Sequence, residues 1–309
     1  MLFWASCTVV KKAPQAAFHF ENNIKFDGSI TKDQEIELKN NLLTQIEDSV
    51  QIRVASKIPW PSFPFVIPVQ VIERPTAFNK IAVEQSVLNM KNLMSSIGFR
   101  KASITYDTSS SLYKNQTRIK TTFSVVPGPR YLIDTLLYAF KDSTLQVLAS
   151  KKTEQSIARK DAPFDVNLID GEINRLTDLF QNNGFYKINK EDIIAEVDTN
   201  YVDIYDASID PFEVASRLAN IQNRTSQPSI RVTFLLRPNL DSSHYTAYSV
   251  GSLTVFPDIK ADDLLPDLDS SFSYTNEIKV ISKHEIFNEK FIKQNIVMKP
   301  GSFFKRDDY

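Results

Sequence analysis

The chain repeats one pattern, in which a helix ends at a glycine and strands follow. Apolar residues lie 11, 8, 5 and 4 positions before Gly98, and apolar residues occupy the same four offsets before Gly184. This spacing follows one face of a helix, and each glycine stands where a left-handed residue ends a helix. A phenylalanine and then a predicted strand follow each glycine. The repeat therefore indicates tandem copies of one small module.

The strands that close and open the modules repeat as well. The segment Ile119–Gly128 aligns without gaps with Ile230–Asn239, and both alternate before they stop at a Pro-Gly or Pro-Asn turn. The segment Tyr131–Tyr138 aligns with Tyr248–Val255, and each predicts the first strand of a new module. The order strand, helix, helix, strand, strand predicts an α+β fold, with the helices on one face of small mixed sheets.

These signals divide the chain into a tether, residues 1–16, and modules over residues 17–128, 129–239 and 240–309. The first module is predicted to contain helices over 31–53, with Thr31 as the N-cap, and over 80–97. The second is predicted to contain helices over 143–160 and 166–183. We expect the third module to be partial, because the sequence stops within the pattern.

The composition excludes several classes of function. No two of the seven glycines are closer than 13 positions, which excludes the glycine-rich loops that bind dinucleotides and phosphates. One cysteine and three dispersed histidines give no disulfide and no recognisable metal site. A net charge of −1 argues against a broad nucleic-acid surface. No nucleophile, base and orienting group can be nominated, so we predict a non-enzymatic protein without a cofactor or a metal.

The amino terminus joins a short apolar stretch and two small residues to the only cysteine, Cys7. This pattern resembles the lipobox of bacterial lipoproteins, which implies that Cys7 carries a lipid anchor. The apolar stretch is shorter than the core of a signal peptide, so we expect the upstream signal to be missing from the sequence. The alternative interpretation is a free, buried cysteine near the start of the chain.

Three segments carry a resemblance to a known family: Leu93–Phe99, Ile104–Asp107 and Phe123–Ile133. Their order resembles POTRA (polypeptide-transport-associated) domains, the periplasmic modules of the outer-membrane barrel assembly superfamily, over residues 17–309. Together with the lipobox, the chain is similar to the translocation and assembly module lipoproteins of Bacteroidota. That resemblance implies a place on the periplasmic side of the outer membrane, held by lipid and by a carboxy-terminal β-barrel, which we expect to lie outside the given residues.

The resemblance also implies how such a protein binds its partners. An extended chain adds a strand to an exposed sheet edge, and the expected partners are unfolded outer-membrane proteins and periplasmic or inner-membrane assembly subunits. The expected edge residues are Ala102, Ile104 and Tyr106 in the first module and Ile193, Ala195 and Val197 in the second. The alternative is that neighbouring segments cover these edges.

An aromatic, proline-rich segment offers a second contact, through Trp60, Phe63 and Phe65. It is either an exposed contact for a partner or a plug that packs on the first module. The alternative function for the whole chain is a structural lipoprotein that docks another outer-membrane complex.

Overall fold

The computed structural model describes residues 8–10, 12–28, 30–57, 69–198, 228–256, 271–273, 278–281 and 288–308. The chain divides into two compact units. Of the described residues, the first unit contains those up to Leu132, Pro163–Asp165 and Pro228. The second unit contains Ile133–Ala162 and the described residues of 166–198 and 229–308. Cys7 and the aromatic segment with Trp60, Phe63 and Phe65 lie outside the described residues.

The first unit contains two three-stranded sheets and two helices. In chain order its elements are β1 (Thr8–Val10), β2 (Phe18–Phe26), α1 (Lys32–Leu43), β3 (Val54–Lys57), β4 (Val69–Ile72), α2 (Lys80–Ser96), β5 (Ser103–Tyr113) and β6 (Gln116–Val126). The main sheet has the order β2–β6–β5, with β2 parallel and β5 antiparallel to β6. The second sheet, β1–β4–β3, was not predicted, and β1 falls within the predicted tether.

The core of the first unit lies between the helices and the main sheet. Leu42 of α1 and Met90 and Met94 of α2 are fully buried beside Phe123 of β6. Apolar residues at helical spacing bring these side chains onto one face, and alternation brings Phe123 onto the facing side of the sheet. The predicted module order is confirmed here.

The first helix is shorter than predicted. Thr31 caps it as expected, accepting a hydrogen bond from the Gln34 amide, but α1 ends at Leu43 and not at residue 53. Ile46 continues the apolar pattern and is buried, yet it lies in a turn. The Glu47 amide donates a 3.0 Å hydrogen bond to Oγ of Ser86 on α2, a long-range contact that replaces the helical one.

The second unit repeats the same arrangement and adds a small third sheet. Its elements are β7 (Leu132–Tyr138), α3 (Ser143–Lys151), α4 (Val166–Gln181), β8 (Ile193–Asp198), β9 (Ser229–Leu236), β10 (Leu253–Val255), β11 (Ser271–Ser273), β12 (Ile278–Ile281) and α5 (Glu289–Asn295). The sheets have the orders β7–β9–β8 and β10–β12–β11. The prediction of a helix over 143–160 was too long, because the Thr153 and Ser156 hydroxyls bond to backbone carbonyls in a turn after α3.

Strands β7 and β9 run in the same direction. The Leu132 amide donates to the Pro228 carbonyl at their beginnings, and the Ala139 amide donates to the Phe234 carbonyl near their ends. With β8 antiparallel to β9, this sheet is mixed like the first one. Among the described residues, no helix is long and apolar enough to span a membrane, and no group of three His, Cys, Asp or Glu side chains could hold a metal ion.

Candidate functional site

The first candidate edge is β5, an outer strand of the sheet β2–β6–β5. On the central strand, the Val125 carbonyl accepts a 2.9 Å hydrogen bond from the Asp27 amide, so Val125 directs its backbone groups toward β2. Val125 lies opposite Ile104, and the two therefore form a non-hydrogen-bonded pair of the β5–β6 ladder. Ile104 and every second residue after it point their amide and carbonyl groups away from β6.

Five residues of β5 present backbone groups at this open edge: Ile104, Tyr106, Thr108, Ser110 and Leu112. In the part of the chain that the structure describes, no other strand pairs with this side of β5. The Thr108 amide differs from the rest of the row, because it donates a 2.8 Å hydrogen bond to Oδ1 of Asp107. All side chains from Asp107 to Tyr113 are exposed, so an added strand meets little steric hindrance there.

The second unit has an open edge at the same place in its sheet, on β8. The Phe234 carbonyl of β9 accepts a 2.8 Å hydrogen bond from the Ala139 amide on the β7 side, and Ala195 lies opposite Phe234. Ala195 therefore directs its backbone groups away from β9, as do Ile193 and Val197. The Ile193 amide closes the preceding turn, which leaves Ala195 and Val197 as the outward donors of β8 among the described residues.

Five of the six edge residues expected from the sequence have this outward orientation. Ile104 and Tyr106 have it on β5, and all three residues named on β8 have it. Ala102 lies one residue before β5, and its amide donates a 3.1 Å hydrogen bond to the Phe99 carbonyl. The role of these residues in binding a partner stays a prediction.

A carboxylate on the second helix of each unit lies beside the open edge. The Tyr106 hydroxyl of β5 donates a 3.4 Å hydrogen bond to Glu84 of α2. In the second unit, Asp170 of α4 forms a 2.6 Å ion pair with Lys190, which lies just before β8. Both carboxylates stand fourteen positions before the glycine that ends their helix. They were not predicted, and aligning the two copies on these glycines is the sequence signal that identifies them.

A buried ionic cluster fixes β7 to α4 in the second unit. Glu172 is fully buried and accepts hydrogen bonds from the Tyr138 hydroxyl at 2.7 Å, from Arg175 at 2.6 Å and from the Ile157 amide at 2.8 Å. Burial raises the pKa of Glu172, but the hydrogen bonds from Arg175, Tyr138 and Ile157 outweigh it and hold the pKa below its usual value. A Cβ on Gly171 would lie 3.4 Å from Ile157, an ordinary van der Waals contact, so the structure does not explain the glycine inside α4.

Comparison with solved structures finds POTRA domains. The chain is 11% identical to POTRA domains 3–5 of BamA from Haemophilus influenzae, with a TM-score of 0.33 over 96% of this chain and 81% of that one. It is 14% identical to BamA from Haemophilus ducreyi lacking POTRA domains 1–3 (TM-score 0.34, 71% and 29% covered). It is 13% identical to POTRA domains 1–3 of Omp85 from Anabaena (TM-score 0.30, 94% and 80% covered). No protein-family model and no curated protein sequence matches the chain.

Proposed function

We propose that this chain is a non-enzymatic scaffold on the periplasmic side of the outer membrane, where it assists the assembly or translocation of outer-membrane proteins. The observation that carries the proposal is an open sheet edge at the same place in both units. An open edge offers amide and carbonyl groups to any extended chain and makes few demands on its sequence. That property suits a scaffold that receives many unfolded outer-membrane proteins and extended segments of assembly subunits.

The length of β5 supports this choice of partner. The strand has 11 residues, and a membrane-spanning strand of an outer-membrane protein has about 9–11 residues. The edge of β5 can therefore pair with such a strand along its whole length. The shorter β8, with six residues, offers a second and smaller edge.

Two further sequence features, the lipobox cysteine and the aromatic segment, bear on the location and on a second contact. A lipid on Cys7 would hold the two units at the membrane, where unfolded clients arrive. The aromatic residues Trp60, Phe63 and Phe65 remain a predicted second contact for these clients.

Proline substitution at the open edges tests the proposal. Ser110→Pro and Ala195→Pro each remove an outward amide and leave the hydrogen bonds of the existing ladder intact. Sheets accept proline at such edge positions. Ser110→Ala and Ala195→Ser are matched controls, because they change the side chain and keep the amide. The two proline changes are combined in one double variant and the two controls in another, and circular dichroism should show that both are folded.

The binding of a urea-unfolded outer-membrane protein to each double variant and to wild type is then measured by fluorescence anisotropy. We expect the double proline variant to bind at least about fivefold more weakly than wild type, since about 1 kcal/mol per lost hydrogen bond is a typical value. The double control variant should bind like wild type. Equal binding by the folded proline variant and wild type would contradict the proposal.

A further inference from the structure

The open edge of β5 carries one internal obstruction. Asp107 is exposed, and its carboxylate occupies the outward amide of Thr108 at 2.8 Å, in the middle of the row that an added strand would use. Among the described residues, no cation forms a salt bridge with Asp107. The neighbouring cation of β6, Lys120, is paired with Glu21 of β2 at 2.7 Å. In the described part of the chain, the carboxylate is therefore held only by its own strand.

The second unit also has an aspartate on its edge strand, two positions further along the aligned sheet than Asp107, and in a different environment. Asp198 is the last residue of β8 and precedes a threonine in the sequence, as Asp107 precedes Thr108, and it lies in register opposite Arg231 of β9. The charge of Asp198 acts on the Arg231 guanidinium. Asp107 instead lies opposite Thr122 of β6, which offers no charge. Asp107 therefore has no charged residue directly opposite it in the β5–β6 ladder.

We propose that Asp107 is a specificity-determining lock on the β5 edge, which an incoming strand must displace and which favours a strand with a lysine or arginine beside it. This inference builds on the proposed function and names the chemistry of the partner. A hydrogen bond to a carboxylate is stronger than one between neutral groups, so its replacement by a partner's carbonyl has a cost. A cationic side chain on the partner offsets that cost by pairing with the displaced carboxylate.

The same lock disfavours pairing of β5 with a second copy of itself. Two β5 strands aligned antiparallel about this position would bring two Asp107 carboxylates together, and like charges directly opposite each other destabilise a strand pair. Charged residues on edge strands are a common protection against such self-association. The Asp107 lock thus favours a partner strand with a lysine or arginine over a second copy of β5.

Two kinds of variant test the lock in the full chain. Asp107→Ala removes the carboxylate, and Asp107→Asn keeps an acceptor oxygen but removes the charge. Thr122→Arg places a cation directly opposite Asp107, as Arg231 lies opposite Asp198, and should draw the carboxylate across to β6. In the free protein, we expect the Thr108 amide to exchange with solvent deuterium faster in Asp107→Ala and Thr122→Arg than in wild type.

Binding is measured with ten-residue peptides of alternating valine and serine, in which the two central serines are replaced by lysine, by glutamine or by glutamate. Wild type should prefer the lysine peptide to the glutamate peptide by about fivefold, the upper range for an exposed ion pair. Asp107→Asn should lose this preference. Asp107→Ala and Thr122→Arg should bind the glutamine peptide about fivefold more tightly than wild type, because no lock is displaced.

The outcomes separate this inference from the function on which it builds. If wild type binds all three peptides equally and the variants do not differ from it, the lock is refuted while edge binding stands. If neither wild type nor any variant binds a peptide or an unfolded outer-membrane protein, the proposed function itself fails, and the lock fails with it.

Discussion

The amide of Tyr131 donates a 2.9 Å hydrogen bond to the carbonyl of Gly98, and the amide of Tyr248 donates a 2.9 Å hydrogen bond to the carbonyl of Gly184. Each tyrosine follows the last strand of its sheet, β6 or β9, and each glycine ends the second helix with a φ of +95° or +97°. The chain that leaves each sheet is therefore held against the helix end by the same contact. This repeated joint is the clearest structural sign that the two units are copies of one module.

A side chain at the first joint should destabilise the first unit strongly. A Cβ on Gly98 would lie 2.7 Å from the Phe164 carbonyl oxygen, and the positive φ adds strain. We expect Gly98→Ala to lower the free energy of unfolding by about 3 kcal/mol in urea denaturation. Gly128→Ala is the matched control, because Gly128 also has a positive φ but only ordinary contacts at 3.5 Å and beyond; its expected loss is about 1 kcal/mol. Equal losses for the two variants would refute a steric role for the joint.

Removing the charge of Glu172 should be far more damaging than removing an exposed charge of the same helix. Glu172→Gln keeps the shape but leaves the largely buried Arg175 guanidinium without its counter-charge, and we expect a loss of about 3 kcal/mol. Asp170→Asn breaks the half-exposed pair with Lys190 and should cost less than about 1 kcal/mol. Urea denaturation of both variants checks the contrast. A Glu172→Gln protein as stable as the Asp170→Asn protein would show that the Glu172 cluster contributes little to the free energy of unfolding.

The first unit should lose stability in mild acid because of His19. This side chain is 1% exposed, and its Nε2 accepts a 3.2 Å hydrogen bond from the Asn79 amide, which a protonated imidazole cannot do. Burial lowers the pKa of His19, so below about pH 6.5 the unfolded chain binds the proton more readily than the folded one. Stability is therefore full above that pH and falls below it, by at most about 1.4 kcal/mol per pH unit.

The acid effect is checked by urea denaturation at pH 7.5 and 5.5, with an NMR titration of His19 in the folded protein. His19→Gln, whose amide oxygen can still accept the Asn79 hydrogen bond, should show a smaller loss between these two pH values. If His19→Gln loses as much stability as wild type between pH 7.5 and 5.5, the acid effect comes from other groups.

The sequence predicted well those features that depend on local chemistry. The helix ends at Gly98 and Gly184 followed from a conformation that glycine adopts readily, and both have it. The Thr31 cap and the alternation of Phe123 and its neighbours were likewise local signals, and each led to the observed element. The outward orientation on β5 follows once alternation and strand order are known.

Features that depend on distant residues could not be predicted in the same way. The end of α1 at Leu43 depends on the bond between Glu47 and Ser86, which are 39 positions apart. The lock at Asp107 depends on which residue of β6 lies opposite, and the register that places Thr122 there is a property of the folded sheet. The Glu172 cluster joins residues of β7, α4 and a turn, and no spacing pattern links them.

The most direct test of the proposed function is residue-resolved amide exchange along β5, with and without an unfolded outer-membrane protein. In the free protein, the outward amides of Ile104, Tyr106 and Ser110 should exchange quickly, and the inward amides of Thr105 and Ser109 should exchange slowly. When the client binds, the outward amides should become protected and the inward ones should not change. Outward amides that keep their fast exchange on β5 while the client is demonstrably bound would contradict binding by strand addition at this edge.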